Sequence, residues 1–358
     1  MPKITIVIAT YNRPQLLRSA IQSILNQTEK DWILLIVGDS CSAETAAMIA
    51  DIGDDRIFYV NLPVRCGEQA GPNTAGMLAA RSPYVAFANH DDIWLPDHLE
   101  RALSVLENEK AKFYVGGAVI AAAQIDAKTG KELLTVKGVS PKGRTVAHGM
   151  NKNAAYFEPV SSWVIKRDII QVIGGWSPAC TIYRTPAENW IMRAWRAGID
   201  IYFDDVVTVF YCTGVQSRQA RGEDIAHTYT RQENEPEQWL QWLTRVGVDV
   251  VRQKAEMLAQ QQENSNNLFP HLFQNHEKLQ VFQALQRDEG AFLFQEYGWD
   301  GFSEACKILG ILPGFQLRCS LKQRTGETLL DRENWKDVSL YVAAQLAENP
   351  MWCKVNKL

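Results

Sequence analysis

The first hundred residues alternate short apolar runs with amphipathic segments, and this alternation limits the possible folds more than any other feature of the sequence. Apolar runs at 4–9, 32–37 and 84–88 have the length of strands that are buried on both faces. Between them lie segments such as 14–26, in which apolar residues recur at helical spacing after Pro14. The pattern predicts βαβ units and an α/β fold with a mixed, mainly parallel sheet flanked by helices.

Composition divides the rest of the chain into further regions. Residues 213–237 are polar and carry few large apolar groups, which is typical of a loop or linker. From 238 onward Gln, Asn, Leu and Phe recur at helical spacing. We therefore expect an α/β domain over 1–212, a polar linker over 213–237 and a mostly helical appendage over 238–358.

Charge and cysteine usage exclude several classes of protein. The net charge is −4 and the Lys and Arg residues are scattered, so we expect no nucleic-acid partner. The 7 cysteines include no CxxC pair, which argues against a zinc site or a disulfide framework and favours a reducing, cytoplasmic location. The apolar window at 116–125 is about half of the roughly 20 residues that a membrane span needs. Any membrane contact is expected to be peripheral, at the inner face.

Two polar clusters directly follow predicted strands. They are Gly38-Asp39-Ser40 and Asn89-His90-Asp91-Asp92. Ligands bind at the carboxyl edge of open α/β sheets, so both clusters are candidates for one crevice. A single aspartate at a strand end is equally a cap or turn residue, and that alternative stays open for each cluster.

The adjacent carboxylates Asp91 and Asp92 are harder to explain as packing residues. Two like charges side by side cost free energy unless a cation or hydrogen-bond donors compensate them. Mg²⁺ and Mn²⁺ prefer such hard oxygen ligands and keep positions for water and phosphate oxygens. The pair predicts a divalent metal site that would stabilise a diphosphate leaving group, and Asp39 is a candidate acceptor for a base or ribose in the same crevice.

Motifs of other enzyme classes are absent from the sequence. There is no G-x-G-x-x-G or G-x-x-x-x-G-K-[ST] loop after the first strand, and no G-x-S-x-G or H-E-x-x-H motif. Nicotinamide and ATP chemistry are therefore disfavoured. His90 is a further candidate metal ligand, although a single loop histidine is more often a hydrogen-bonded or exposed side chain.

Three segments together resemble family 2 glycosyltransferases of the GT-A fold. They are IVIATYNR at 6–13, VGDSCSAET at 37–45 and AFANHDDIWLP at 86–96, and their order and spacing match as well as their residues. The resemblance covers roughly residues 1–210. It implies an inverting enzyme that uses a metal-bound nucleotide sugar, with UDP as the family's default nucleotide, and a saccharide or lipid-linked saccharide as acceptor.

The resemblance also implies roles for individual residues. Thr10, Tyr11, Arg13, Asp39 and Asn73 would line the nucleotide pocket, and Asp91 and Asp92 would occupy the metal motif. Family members usually carry another carboxylate where this chain has Asn89. This departure implies either a more weakly held metal or a ribose held by an amide.

The family's catalytic base lies at the start of a helix, in an acidic pair followed by an aromatic residue and then an Arg. The matching segment here is AENWIMR at 187–193, in which Glu188 is the one carboxylate and Asn189 takes the second position of the pair. Asn cannot accept a proton, so we expect Glu188 to act as the base. A first-turn acid favoured by the helix dipole is the alternative for Glu188.

Two other functions stay open beside the transferase. Asn89 and Asn189 are compatible with a nucleotide-sugar binding protein that has lost catalysis, and a sugar nucleotidyltransferase handles the same nucleotide sugars. Arg218 and Arg221 are weaker candidates for diphosphate contacts, since a solvated loop explains them as well. Trp163 and Trp176 are candidates for stacking on a sugar, although buried tryptophans are usually core residues.

Overall fold

The computed structural model describes residues 1–125, 132–140, 142–143, 159–178, 186–212, 235–264 and 335–357. Within these residues a nine-stranded mixed sheet has the order β3-β2-β1-β4-β8-β6-β9-β5, and β7 pairs with β6. The strands are β1 (Ile4–Thr10), β2 (Trp32–Gly38), β3 (Ile57–Asn61), β4 (Tyr84–Asn89), β5 (Ile93–Trp94), β6 (Phe113–Ile125), β7 (Glu132–Val139), β8 (Trp163–Lys166) and β9 (Ile201–Cys212).

The first four strands form a parallel block. β1 lies between β2 and β4, and β3 pairs with the outer side of β2. In β1 and β2 the apolar side chains are buried on both faces, as expected for parallel strands covered by helices. This block is the βαβ arrangement that the alternating apolar runs predict.

The second half of the sheet is mixed. β8 runs antiparallel to both β4 and β6, while β9 runs parallel to β6. The β6–β9 register shifts around Gly117, where a Cβ atom would lie 2.7 Å from the backbone oxygen of Val206. Only glycine allows the two backbones to approach this closely.

Helices cover both faces and the ends of the sheet. They are α1 (Pro14–Leu25), α2 (Ala43–Ile52), α3 (Ala70–Ala79), α4 (His98–Asn108), α5 (Ile169–Ile173), α6 (Pro186–Arg196), α7 (Glu235–Val246), α8 (Val248–Asn264), α9 (Trp335–Ala347) and α10 (Pro350–Asn356), with a 3₁₀ turn at Val160–Ser162. No helix in these described segments is both long and apolar enough to cross a membrane.

Four apolar clusters hold the layers together. One buries α1, α2 and α4 against one face of the parallel strands, and another buries α3, α5 and α6 against the opposite face. A third packs α7 and α8 against β5 and β9. The fourth packs α9 and α10 against β3 and α3, with the Trp352 ring edge-on to Phe58 at 5.0 Å between centroids.

The predicted α/β fold with a mixed sheet flanked by helices is confirmed. The helical spacing predicted from 238 onward corresponds at first to two helices, α7 and α8, which are separated at Gly247, whose positive φ of 81° ends the first helix. The predicted linker 213–237 lies almost wholly outside the described residues, and Arg218 and Arg221 lie entirely outside them.

Candidate nucleotide-sugar site

The two predicted polar clusters lie at one edge of the sheet. In the strand registers Thr10 is opposite Gly38 and Ala9 is opposite Asn89, so the ends of β2 and β4 flank the end of β1. Neighbouring strands are about 4.8 Å apart, so the ends of β2 and β4 lie roughly 10 Å from each other, on either side of β1. The sequence prediction of a single crevice thus agrees with the strand order.

Hydrogen bonds join the turn after β1 to the loop after β2. The Thr10 carbonyl accepts from the backbone N–H of Asp39 at 2.8 Å, and the Asn12 side chain accepts from the backbone N–H of Ser42 at 2.7 Å. Asn12 and Ser40 both have positive φ, which marks two tight turns at this edge. The Thr10 hydroxyl is buried and has no hydrogen-bond partner among the described residues.

The Asp39 carboxylate is buried and holds the loop that follows β3. It accepts from the backbone N–H of Cys66 at 2.5 Å and of Gly67 at 2.8 Å. Burial raises the pKa of Asp39, and the two N–H donors and the charge of Arg65 oppose that rise. Asp39 therefore has a structural task in addition to the nucleotide contact predicted for it.

The other residues predicted for the nucleotide pocket are Tyr11, Arg13 and Asn73. Tyr11 follows Thr10, with the Arg65 guanidinium 3.8 Å from its ring centroid. Arg13 stands at the N-cap of α1. Asn73 is buried in the first turn of α3, beside Thr74, whose hydroxyl accepts from the backbone N–H of Trp176 at 2.9 Å. Their contacts with a nucleotide stay predictions.

The Asp92 carboxylate joins three segments of the chain. One of its oxygens accepts from the Ser161 hydroxyl at 2.6 Å and from the Asn89 amide at 2.8 Å. The other oxygen accepts from the backbone N–H of Cys212 at 3.1 Å. Asp92 is 3% exposed, and these donors compensate the free-energy cost of burying its carboxylate.

Asp91 has a different environment from its neighbour. Its side chain is 14% exposed, and one carboxylate oxygen lies 3.6 Å from Nε2 of His90. Among the described residues no three His, Cys, Asp or Glu side chains form a cluster that would enclose a metal ion. A carboxylate with solvent access at a ligand edge fits Mg²⁺ or Mn²⁺ held mainly by phosphate oxygens and water, and Asp91 fits that role better than Asp92.

The start of α6, which carries the predicted base Glu188, is firmly attached to the domain. The Asn189 side chain accepts from Nε of Arg193 at 3.0 Å, and Arg193 also donates to the carbonyls of Ile173 and Gly175. The Trp190 indole donates to the carbonyl of Gly174 at 2.9 Å. The Glu188 side chain is outside the described part of the chain, so its role as base stays a prediction.

Trp163 and Trp176 belong to the core. Both are fully buried. Trp163 contacts the ring of Phe113, Trp176 contacts the ring of Phe87, and both contact the ring of Trp190. This agrees with the core interpretation and leaves neither ring exposed for stacking on a sugar.

Sequence reasoning missed the partners of the two aspartates. Ser161 is 69 positions from Asp92 and Cys66 is 27 positions from Asp39, and no local pattern marks either residue. Arg65 was also missed, although it follows a predicted strand as the recognised clusters do.

The family model described as Glycosyl transferase family 2 matches residues 5–174. Those residues contain β1 to β4, both polar clusters and the 3₁₀ turn with Ser161. Residues 5–174 thus match the family 2 glycosyltransferases, and the resemblance predicted from the sequence is confirmed.

Parts of the chain are also similar to individual proteins. An uncharacterised glycosyltransferase of Methanocaldococcus jannaschii is 36% identical over 30% of this chain and 39% of its own length. A UDP-Glc:alpha-D-GlcNAc-diphosphoundecaprenol beta-1,3-glucosyltransferase of Escherichia coli is 29% identical over 32% of this chain and 44% of its own. The chain thus spans less than half the length of both relatives. The structure of S. aureus TarS with UDP-GlcNAc covers 92% of this chain and 93% of that one, with 11% identity and a TM-score of 0.49.

Proposed function

We propose that this protein transfers a sugar from a nucleotide-diphosphate sugar to a hydroxyl group of a saccharide, with inversion and with Mn²⁺ or Mg²⁺. The observation that supports this most is the register that puts the ends of β1, β2 and β4 side by side, with Asp39 and Asp91 on either side of Tyr11. A donor lying across the end of β1 would reach both carboxylates.

The nucleoside part of the donor would bind near Asp39. The Thr10 hydroxyl there is buried without a partner, and a buried polar group of this kind costs about 1–3 kcal/mol until a ligand satisfies it. Tyr11, Arg13 and Asn73 would complete this side of the pocket.

The diphosphate would lie towards Asp91. A divalent cation, when bound, neutralises the charge that develops on the diphosphate as it leaves. Asp91 would hold it, while Asp92 fixes the loop through Ser161 and Cys212.

Glu188 would remove the proton of the acceptor hydroxyl. As that oxygen attacks the anomeric carbon from the face opposite the diphosphate, the new C–O bond forms, the bond to the diphosphate breaks and the configuration inverts. Asn189 binds Arg193 and would position the helix turn that carries Glu188.

For the substrates we propose a UDP-sugar donor and a lipid-linked saccharide acceptor. The E. coli relative is named for UDP-Glc and a diphosphoundecaprenol-linked GlcNAc as its substrates. A cytoplasmic protein with peripheral contact at the inner membrane face would meet such an acceptor. We further propose that residues 1–212 form the catalytic domain, followed by a linker at 213–237 and a helical region over 238–358.

The test is Glu188→Gln, measured for sugar transfer and, separately, for donor binding. Transfer should fall at least about 100-fold, the usual contribution of a general base, while the donor Kd is unchanged. Asp337→Asn, which removes an exposed first-turn acid in α9, is the matched control and should leave both unchanged.

Unchanged turnover of Glu188→Gln would discard Glu188 as the base. A wild-type protein that binds the donor but neither transfers nor slowly hydrolyses it would be the binding protein without catalysis. Release of pyrophosphate from a nucleoside triphosphate would instead identify a nucleotidyltransferase.

A further inference from the structure

The Arg65 guanidinium lies over the ring of a residue of the candidate donor site. Its guanidinium carbon is 3.8 Å from the centroid of the Tyr11 ring, within the range of a strong cation–π contact. Arg65 comes from the loop after β3, whereas Tyr11 follows β1, and β2 lies between these strands. The Arg65 and Tyr11 side chains therefore meet across the end of β2.

The backbone around Arg65 is held by the site itself. The next two residues, Cys66 and Gly67, donate their N–H groups to the Asp39 carboxylate. Asp39 in turn donates its own N–H to the carbonyl of Thr10, which precedes Tyr11. Tyr11, Asp39 and Arg65 thus form one connected unit, and the guanidinium is positioned before any ligand arrives.

The strand order gives this charge a particular place. Asp39 follows β2 and Asp91 follows β4, and the end of β1 lies between them. A donor with its nucleoside at Asp39 and its diphosphate reaching towards Asp91 must pass the end of β1, where the guanidinium lies. Arginine is well suited to phosphate because its planar donors pair with two oxygens at once.

We infer that Arg65, supported by the Tyr11 ring, binds the diphosphate of the nucleotide sugar. This inference rests on the proposed function. Arg65 would supply a fixed positive charge on the nucleoside side of the diphosphate, opposite Asp91, and so contribute to donor affinity independently of the metal. Tyr11 would act through Arg65, because the guanidinium covers one face of its ring.

The test compares UDP and GDP with uridine and guanosine, using calorimetry on the full chain without added metal. Arg65→Gln should weaken binding of the diphosphate roughly 10- to 100-fold, the range for hydrogen bonds to a charged group, and leave the nucleoside within about 2-fold. Arg65→Lys keeps the charge without the planar fork and should lie between wild type and Arg65→Gln. When Arg65 is already Gln, Tyr11→Leu should add little to the loss in diphosphate affinity relative to nucleoside affinity.

The chain offers a matched control in Arg56. Its guanidinium carbon lies 3.8 Å from the Trp32 ring centroid, but it precedes β3 and pairs with Asp54 at the opposite edge of the sheet. Arg56→Gln should therefore leave the affinity for the diphosphate unchanged.

Equal affinities of wild type and Arg65→Gln for the diphosphate would overturn the inference. An equal loss for nucleoside and diphosphate would also overturn it, because Arg65 would then contact the base. If wild type binds no nucleotide with or without metal, the proposed function itself fails. That outcome is distinct from a failure confined to the Arg65 variants.

Discussion

At the residue scale, the adjacent aspartates at the end of β4 have separate tasks. Asp92 is buried under three donors from Asn89, Ser161 and Cys212, whereas Asp91 keeps access to solvent. The sequence shows two equivalent carboxylates. Only the tertiary structure, which brings Ser161 and Cys212 to Asp92, distinguishes them.

We predict that Asp92→Ala lowers the free energy of unfolding by about 2–4 kcal/mol, since it leaves buried donors without an acceptor. Asp91→Ala should destabilise the protein less than Asp92→Ala, because the Asp91 side chain is 14% exposed and keeps access to solvent. Urea denaturation of both variants measures the difference. Equal losses for the two variants would refute the division of tasks.

His98 is a buried titratable residue away from the donor site. It is fully buried, its Nδ1 lies 2.9 Å from the Thr208 hydroxyl, and its ring packs against Trp94 at 4.5 Å between centroids. Burial lowers the pKa of His98 to about 3. The histidine is therefore neutral in the folded protein under all ordinary conditions.

This pKa predicts a loss of stability in mild acid. Below about pH 6.5 the unfolded chain takes up a proton at His98 that the folded protein does not, so this residue lowers the free energy of unfolding by about 1.4 kcal/mol per pH unit. The effect is absent above pH 6.5 and saturates near the folded pKa of about 3. In His98→Phe this contribution is absent. As the pH is lowered from about 6 to 5, the free energy of unfolding of the variant should therefore fall less steeply than that of wild type, by about 1.4 kcal/mol per pH unit, as measured by urea denaturation. A slope identical to that of wild type would contradict the prediction.

At the element scale, sequence patterns predict long periodic segments well and short ones poorly. The strands predicted over 4–9, 32–37 and 84–88 and the helical segment over 14–26 match β1, β2, β4 and α1 to within one residue at each end. β5 has two residues, and its pairing with β9 depends on contacts more than 100 positions away, which no local pattern encodes. α4 was missed although its buried residues recur at helical spacing.

The helices α9 and α10 are part of the α/β core. Trp352 is 1% exposed and shares an apolar cluster with Phe58, Leu62 and Cys66, the last of which donates to Asp39. The sequence predicts helices here but gives no sign of where they dock. The helices α9 and α10 thus belong to the same apolar cluster as the residue that donates to Asp39.

We predict that Trp352→Ala destabilises the protein by about 3–5 kcal/mol, the usual cost of removing a large buried aromatic side chain. Leu340→Ala in α9 is the control, because Leu340 is 67% exposed and should change stability by less than about 0.5 kcal/mol. Thermal and urea unfolding measure both variants. A loss below about 1 kcal/mol for Trp352→Ala would show that α10 is not part of the core.

At the scale of the whole molecule, the order of the strands creates the site. The sequence identifies Asp39 and Asp91 as polar residues after strands, and general rules for α/β sheets place such residues at one edge. Only the topology shows that β1 lies between them and that Arg65 belongs to the loop after β3. The bond from Asp39 to the loop after β3 is equally invisible in the sequence, because it depends on non-local backbone groups.

The most direct measurement is calorimetric titration of UDP- and GDP-sugars into the full chain, with and without Mn²⁺, for wild type and Asp91→Asn. The account predicts that wild type binds at least one of these donors, and that Mn²⁺ increases its affinity roughly 10-fold or more, about 1.4 kcal/mol. Asp91→Asn should retain the metal-free affinity and lose the increase. A wild-type protein that takes up no nucleotide sugar, or an Mn²⁺ effect that survives in Asp91→Asn, would contradict it.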